Sequence, residues 1–198
     1  MAAQFILAST SPYRRALLER LQLPFAIEAP GVAEDGITGE SAQARAMRLA
    51  LAKAQAVAAR HPAAWVLGSD QVADCDGLIL SKPLDAGRCR EQLLACSSRS
   101  VRFHTAAVLL RGKPPVVRQH VDCTTVRFRQ LSADEVARYV DRDRPYDCAG
   151  GFRCESLGIA LFNGIDSNDP TALIGMPLIW VAAALRQAGL DPLASTQS

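Results

Sequence analysis

Phe5-Ile6-Leu7-Ala8-Ser9-Thr10-Ser11-Pro12-Tyr13-Arg14-Arg15 reads as a short buried strand running directly into a helix. Ser11 is a good N-cap, and Pro12 suits the first helical position, where a missing N–H costs nothing. Arg14 and Arg15 then fall in the first turn, the end of a helix whose partial charge is already positive and disfavours cations. An anion accounts for them, held by guanidinium forks, seryl hydroxyls and free backbone N–H groups. Phosphate is the expected anion. The plainer alternative is a solvated pair of arginines on an ordinary helix.

The helix opened at Pro12 is expected to run to residue 22, followed by a strand over 24–28. Residues 41–60 read as a long Ala-rich helix stopped by His61-Pro62. Trp65-Val66-Leu67-Gly68 is a strand leading to Ser69-Asp70-Gln71, and Asp76-Gly77 is a hairpin turn before Leu78-Ile79-Leu80. Asp85 caps a helix over 86–96, and 101–110 and 116–128 are long strands joined by the turn at 112–115. Ser132 and Glu135 form a capping box for a helix to residue 142, and Gly150-Gly151 marks a tight backbone site. Residues 157–162 read as a strand, and Pro177 opens a last helix closed by Gly189. Some connections are crossovers and others hairpins. The expected class is therefore α/β with a mixed sheet rather than a doubly wound Rossmann fold.

The 198 residues suffice for one α/β domain, expected to span 1–198, or two small lobes sharing a sheet. Apolar residues at 49% and charged residues at 21% describe an ordinary globular chain. A net charge of +2 is too small to point to nucleic acid or a membrane surface as partner. The N-terminal apolar run is broken by Ser9 and lacks a basic flank, so no export signal is read. Pro177 to Leu185, the longest strongly apolar stretch, is about half a membrane span. Cys75, Cys89, Cys96, Cys123, Cys148 and Cys154 show no C-x-x-C or zinc spacing and read as reduced core thiols. The expected compartment is the cytoplasm.

The common nucleotide signatures, G-x-x-x-x-G-K-[ST] and G-x-G-x-x-G, are absent, as is a G-x-S-x-G elbow. His61, His104 and His120 fit no metal or triad spacing, and Asp74 and Asp76 read as turn residues. What remains is a set of acids and lysines at expected element ends. Asp70 follows a buried strand, the usual place for a catalytic carboxylate in an open sheet. Glu34, in the loop before the Ala-rich helix, is placed to share a magnesium or manganese ion with Asp70. Lys53 lies within that helix, and Lys82 follows the hairpin. Singly, each is more often a surface charge. Together they are what a phosphate chain with a hard cation requires.

Ile6 to Arg15, Gly68-Ser69-Asp70-Gln71, Lys82-Pro83 and Gly175-Met176-Pro177 resemble the Maf family of nucleotide pyrophosphatases, over nearly the whole chain. The chain is most similar to the branch that hydrolyses 7-methyl-GTP to 7-methyl-GMP and pyrophosphate. The resemblance implies an elongated α/β fold with two lobes around a deep cleft, related to the inosine-triphosphate pyrophosphatase type. It also implies a divalent metal, a nucleoside triphosphate substrate, often a homodimer, and removal of a modified nucleotide before RNA incorporation. It makes Asp70 the proton acceptor that activates water. Ser9, Arg14, Glu34, Lys53 and Lys82 take the metal- and phosphate-handling positions. The specificity positions fall on Tyr13, Gln71 and Glu155, where this branch has an aromatic, a glutamine and a glutamate. The branch acting on dTTP and UTP has an arginine, a threonine and a glutamine there. Tyr13 replaces the branch's usual tryptophan, Ser81 a glycine before Lys-Pro, and Ala33 an acid beside Glu34.

Chemistry supports the same branch. 7-Methylguanine carries a positive charge, so an aromatic face attracts it by roughly 0.5–2 kcal/mol. Guanine presents two adjacent N–H donors that one carboxylate accepts, each bond worth about 1.5–3 kcal/mol. Uracil and thymine present carbonyls that a carboxylate repels. The alternatives are the dTTP/UTP specificity and a nucleotide-binding regulator of septum formation without turnover.

Overall fold

The computed structural model describes residues 5–194, which form a mixed sheet of seven strands with helices packed on it. The elements in order are β1 (Phe5–Ala8), α1 (Pro12–Glu19), β2 (Ala26–Glu28), α2 (Ala42–Ala58), β3 (Trp65–Cys75), β4 (Leu78–Leu80), α3 (Ala86–Cys96), β5 (Ser100–Arg111), β6 (Val116–Phe128), α4 (Ala133–Asp143), β7 (Phe162–Asp166) and α5 (Leu178–Gln187). The sheet order is β2-β1-β3-β5-β6-β7, with β4 beside β3. β1 runs parallel to β2 and β3, and the remaining pairs are antiparallel.

The local signals explain the ends of these elements. Ser11, Ser41, Asp85 and Ser132 each accept a backbone N–H from the first turn of their helix. Such caps are worth about 1 kcal/mol each. The capping box between Ser132 and Glu135 is complete. Asp76 and Gly77 both have positive φ (51° and 84°), as a tight primed hairpin turn requires.

β3 organises the molecule. Trp65–Gly68 pairs with β1, and Ala73–Cys75 pairs with β4 along the same edge. Between them, Ser69–Val72 has β5 on one side and no strand on the other. Side chains alternate across the sheet. On one face Val66 and Val72 join Ile6, Ala8, Ala106 and Val108 under the alanine stripe Ala42, Ala46, Ala50 and Ala54 of α2. On the other face Trp65 and Leu67 pack with α1 and α5, whereas Ala73 and Cys75 pack with α3 and α4. Ser69 and Gln71 lie between those two apolar clusters. This polar interruption in one strand separates the two apolar clusters on that face.

Several expectations need correction. Asp70 is the sixth residue of an eleven-residue strand, not the end of one. It is buried there, in the stretch of β3 whose far edge no strand pairs. Residues 157–161 form a 3-10 turn and the strand begins at Phe162. The run Leu157 to Leu161 lacks polar alternation, and Gly158 lies where a Cβ would stand 2.3 Å from the Arg153 carbonyl. Asp74 serves the turn as expected, its Oδ1 accepting the Gly77 N–H at 3.2 Å, but it is also a buried member of β3 bound to His104 Nε2 and Arg102 Nη2, each at 2.9 Å. Pro177 occupies the N-cap of α5 rather than its first turn, and Thr171 Oγ1 and Asp169 Oδ2 accept the N–H groups of Leu178 and Ile179. The six cysteines are free thiols, but only Cys75, Cys89 and Cys96 are buried. No described helix is long and apolar enough to cross a membrane.

Candidate active site

The open edge of β3 floors a cleft of about 560 Å³. The strand-to-helix turn after β1 supplies one wall: Ser9 Oγ accepts the Ser11 N–H at 3.1 Å and lines the cleft. Arg14 reaches across from α1 and donates from Nε to the Gly175 carbonyl at 3.0 Å. Burial works against its charge, and the nearby carboxylates of Asp70 and Glu34 support it. Arg15 does not join it; exposed, it pairs with Glu19 one turn along. Of the two arginines read as an anion clamp, one is an ordinary surface residue.

α2 supplies the opposite wall. Gly68 lets it come close: a Cβ there would lie 2.3 Å from the Ala50 carbonyl oxygen and 2.8 Å from the Ala54 nitrogen. At that spacing Lys53, nearly buried, puts Nζ 2.6 Å from Asp70 Oδ1 and 2.5 Å from Glu34 Oε1. Glu34 belongs to the loop between β2 and α2, which α2 itself holds in place. Arg45 Nη2 donates to the Glu34 carbonyl at 2.8 Å, and Arg48 Nη2 to the Asp35 carbonyl at 3.0 Å. Arg48 is fixed in turn by two bonds to Glu40. Burial alone would raise the Glu34 carboxyl. The hydrogen bond and charge of Lys53, with Lys82 and Arg14 further off, hold it below the usual carboxylate range. Lys82 lines the cleft, is exposed, and pairs with no carboxylate among the described residues.

A side cavity of about 110 Å³ adjoins the cleft, sharing Tyr13, Arg14, Gln71 and Lys82 with it and adding Glu155. The residues named from the sequence therefore line two joined cavities. Ser9, Glu34, Lys53 and Asp70 belong to the cleft, and Glu155 to the side cavity. Gln71 donates from Nε2 toward Thr105 Oγ1 and the carbonyls of Ala172 and Leu173, each at 3.0 Å. Its carbonyl oxygen takes no hydrogen bond among the described residues. The Tyr13 hydroxyl donates a hydrogen bond to Asp147 Oδ2 at 3.2 Å.

Three contributors escaped the sequence reading. Arg45 lines the cleft with Leu49 and Lys53. Their spacing of four puts them on one helix face, a legible signal once Lys53 is singled out. Ser69 Oγ donates to the Ala106 and Gly175 carbonyls at 2.8 and 3.1 Å, and so helps fix the loop that receives Arg14. Asp147 lines both cavities, and nothing in its local sequence marks it.

Glu34 and Asp70 converge on one cationic point, and Ser9 supplies a third oxygen to the same cleft. Hard oxygen donors of this kind suit magnesium or manganese with phosphate oxygens and water as the other ligands. The two carboxylates expected to share a magnesium or manganese ion also share the Lys53 ammonium, which lies between them. No group of three or more His, Cys, Asp or Glu side chains among the described residues forms a protein-only metal cage.

Fold and cavities together define an α/β protein built around a cleft lined by Arg14, Arg45, Lys53 and Lys82, with Asp70 on the central strand at its floor. The model of the Maf family, described as Maf-like protein, matches residues 4–188, and the chain belongs to that family. It is 54% identical over 188 residues to a 7-methyl-GTP pyrophosphatase of Xanthomonas axonopodis pv. citri (strain 306), covering 95% of this chain and 98% of that one. Identity is 47% to the 7-methyl-GTP pyrophosphatase of Aromatoleum aromaticum (strain DSM 19018 / LMG 30748 / EbN1), over 95% and 97% of the two chains. The solved structure of the Staphylococcus aureus Ham1 protein aligns with 63% of this chain and 71% of its own, at 12% identity and a TM-score of 0.46.

Proposed function

We propose that this chain is a divalent-metal-dependent nucleotide pyrophosphatase that hydrolyses 7-methyl-GTP to 7-methyl-GMP and pyrophosphate in the cytoplasm, keeping a modified nucleotide out of RNA. The observation that carries the reading is the joining of two cavities of different chemistry. One is a cleft with Arg14, Arg45, Lys53 and Lys82 around Asp70 and Glu34; the other is a side cavity with Tyr13 and Glu155. The cationic cleft is the proposed seat of the triphosphate and the side cavity that of the base. Relatives about half identical over nearly their whole length carry the corresponding name.

Asp70 is the proposed base. Lys53 holds Oδ1, and Oδ2 takes no hydrogen bond among the described residues, so it is available to a water in the cleft. That water attacks the α-phosphorus as its proton passes to Asp70, and the bond to the bridging oxygen of the β-phosphate breaks. Arg14, Lys53 and Lys82 stabilise the charge that develops on the leaving pyrophosphate, which is where most of such a barrier is lowered. Glu34 and Asp70 are the residues that would hold the metal, which neutralises and orients the phosphate oxygens when bound.

The test is pyrophosphate release from 7-methyl-GTP, GTP, dTTP, UTP and inosine triphosphate, with magnesium or manganese and with Asp70→Asn as the inactive control. Release mainly from 7-methyl-GTP supports the reading. Release mainly from dTTP and UTP retains the chemistry and overturns the specificity. Turnover retained by Asp70→Asn overturns the role of Asp70.

A further inference from the structure

Tyr13 and Asp147 lie 134 residues apart and meet at the boundary of the two cavities. The bond between them belongs to a small network. Arg153 Nη2 lies 3.4 Å from Asp147 Oδ1, and the Cys148 thiol lies 3.5 Å from the same oxygen and 3.8 Å from the Tyr13 hydroxyl. Arg153 is itself locked by donating to the carbonyls of Asp143 and Arg144 at 3.0 and 3.1 Å. The Asp147 side chain is 57% exposed, so this carboxylate is fixed in position yet open to the cavities.

The protonation states are settled by the surroundings. Burial raises the Tyr13 phenol well above its ordinary range, the Asp147 charge adding to the rise and the Arg153 charge opposing it, so it stays a donor. Burial also disfavours the Asp147 carboxylate. Hydrogen bonds from its own backbone N–H, Cys148 and Tyr13 and the charge of Arg153 outweigh that and keep it ionised.

We propose that Asp147 is a positioning residue for base recognition: it holds the Tyr13 ring by its hydroxyl and sets a fixed negative charge beside a nucleobase that carries positive charge. The inference rests on the reading of the side cavity as the base pocket. A tyrosine anchored at its far end keeps its face presented, and a cationic ring gains from both the face and the nearby carboxylate. A neutral guanine gains only from the face. Asp147 therefore adds to the discrimination of the methylated base from the unmethylated one, since the two N–H donors that Glu155 reads are present on both.

The experiment compares kcat/KM for 7-methyl-GTP with that for GTP in the wild type, Asp147→Asn and Asp147→Glu. Asparagine keeps an acceptor for Tyr13 and removes the charge. The 7-methyl-GTP preference is expected to fall about fivefold, carried by KM rather than kcat, as loss of a nearby charge predicts. Asp147→Glu is expected to restore most of it. An unchanged preference in Asp147→Asn, or equal losses on both substrates, overturns this inference and leaves the proposed function standing. A wild type that does not release pyrophosphate from 7-methyl-GTP overturns both.

Discussion

The Lys53 ammonium lies 2.6 Å from Asp70 Oδ1 and 2.5 Å from Glu34 Oε1, and so occupies the point on which the two carboxylates converge. The chain carries its own cation where a metal and a pyrophosphate would meet. Lys53→Ala leaves two close carboxylates without that counter-charge, which strengthens their pull on a divalent ion. It also removes a donor from the leaving group. Turnover is expected to fall about 100-fold or more, the usual cost of losing one such stabilising group. Manganese alone is nevertheless expected to bind the variant more tightly than the wild type in a calorimetric titration. Weaker manganese binding would mean that ammonium and metal occupy separate positions.

Gly68 connects packing to this chemistry. Its missing side chain lets α2 lie against β3, and that contact sets the height of Lys53 over Asp70. The atoms a Cβ would meet are mainly α2 backbone, which cannot turn aside. Gly68→Ala should push the helix outward at a cost of roughly 1–3 kcal/mol. The displacement of Lys53 should also lower kcat by about tenfold or more. Urea melts and steady-state kinetics read the two effects separately. A destabilised variant with ordinary kcat would show that α2 can retreat without taking Lys53 with it.

Most of the fold was legible because its signals are local. Ser41, Asp85 and Ser132 cap the helices their sequence announced, and Asp76-Gly77 makes the expected turn. The 3-10 turn at 157–161 differs from the expected strand because Gly158 lies against the Arg153 backbone, a contact that an apolar run does not disclose. Within the site, Asp70, Lys53 and Lys82 stood out as charges beside apolar segments. The roles of Ser69 and Asp147 depend on the 175 loop and on α1 arriving from far away in sequence, which no local pattern encodes. Arg15 failed for the complementary reason: the sequence showed two cations in one turn, and only the packing shows which one points into the cleft.

Glu155 stands exposed at the side cavity, its only side-chain partner among the described residues being the thiol of Cys154 at 3.4 Å. A carboxylate accepts both N–H donors of a guanine edge, whereas an amide offers one oxygen and a repelling NH2. Glu155→Gln is expected to lower kcat/KM for 7-methyl-GTP about tenfold relative to UTP, the effect of losing one charge-assisted bond. Equal losses on both nucleotides would refute the base-reading role.

Asp122 offers a test by pH. It is buried on β6 and accepts a hydrogen bond from Thr124 Oγ1 at 3.3 Å. Burial raises its carboxyl above the ordinary range; the Thr124 bond works the other way, and the Asp169 charge adds to the rise. An acid whose folded value is raised costs stability once ionised. The cost is absent below the ordinary aspartate value of about 3.9, grows as pH rises, and is complete above the folded value. Asp122→Asn keeps the acceptor for Thr124 and removes the charge, so its Tm should exceed that of the wild type at pH 7.5. The difference should close as pH falls toward the ordinary aspartate range. A gap that does not change with pH, or a variant less stable than the wild type at pH 7.5, would show that the Asp122 carboxylate is not a strained charge but a required partner of the loop that holds Asp169.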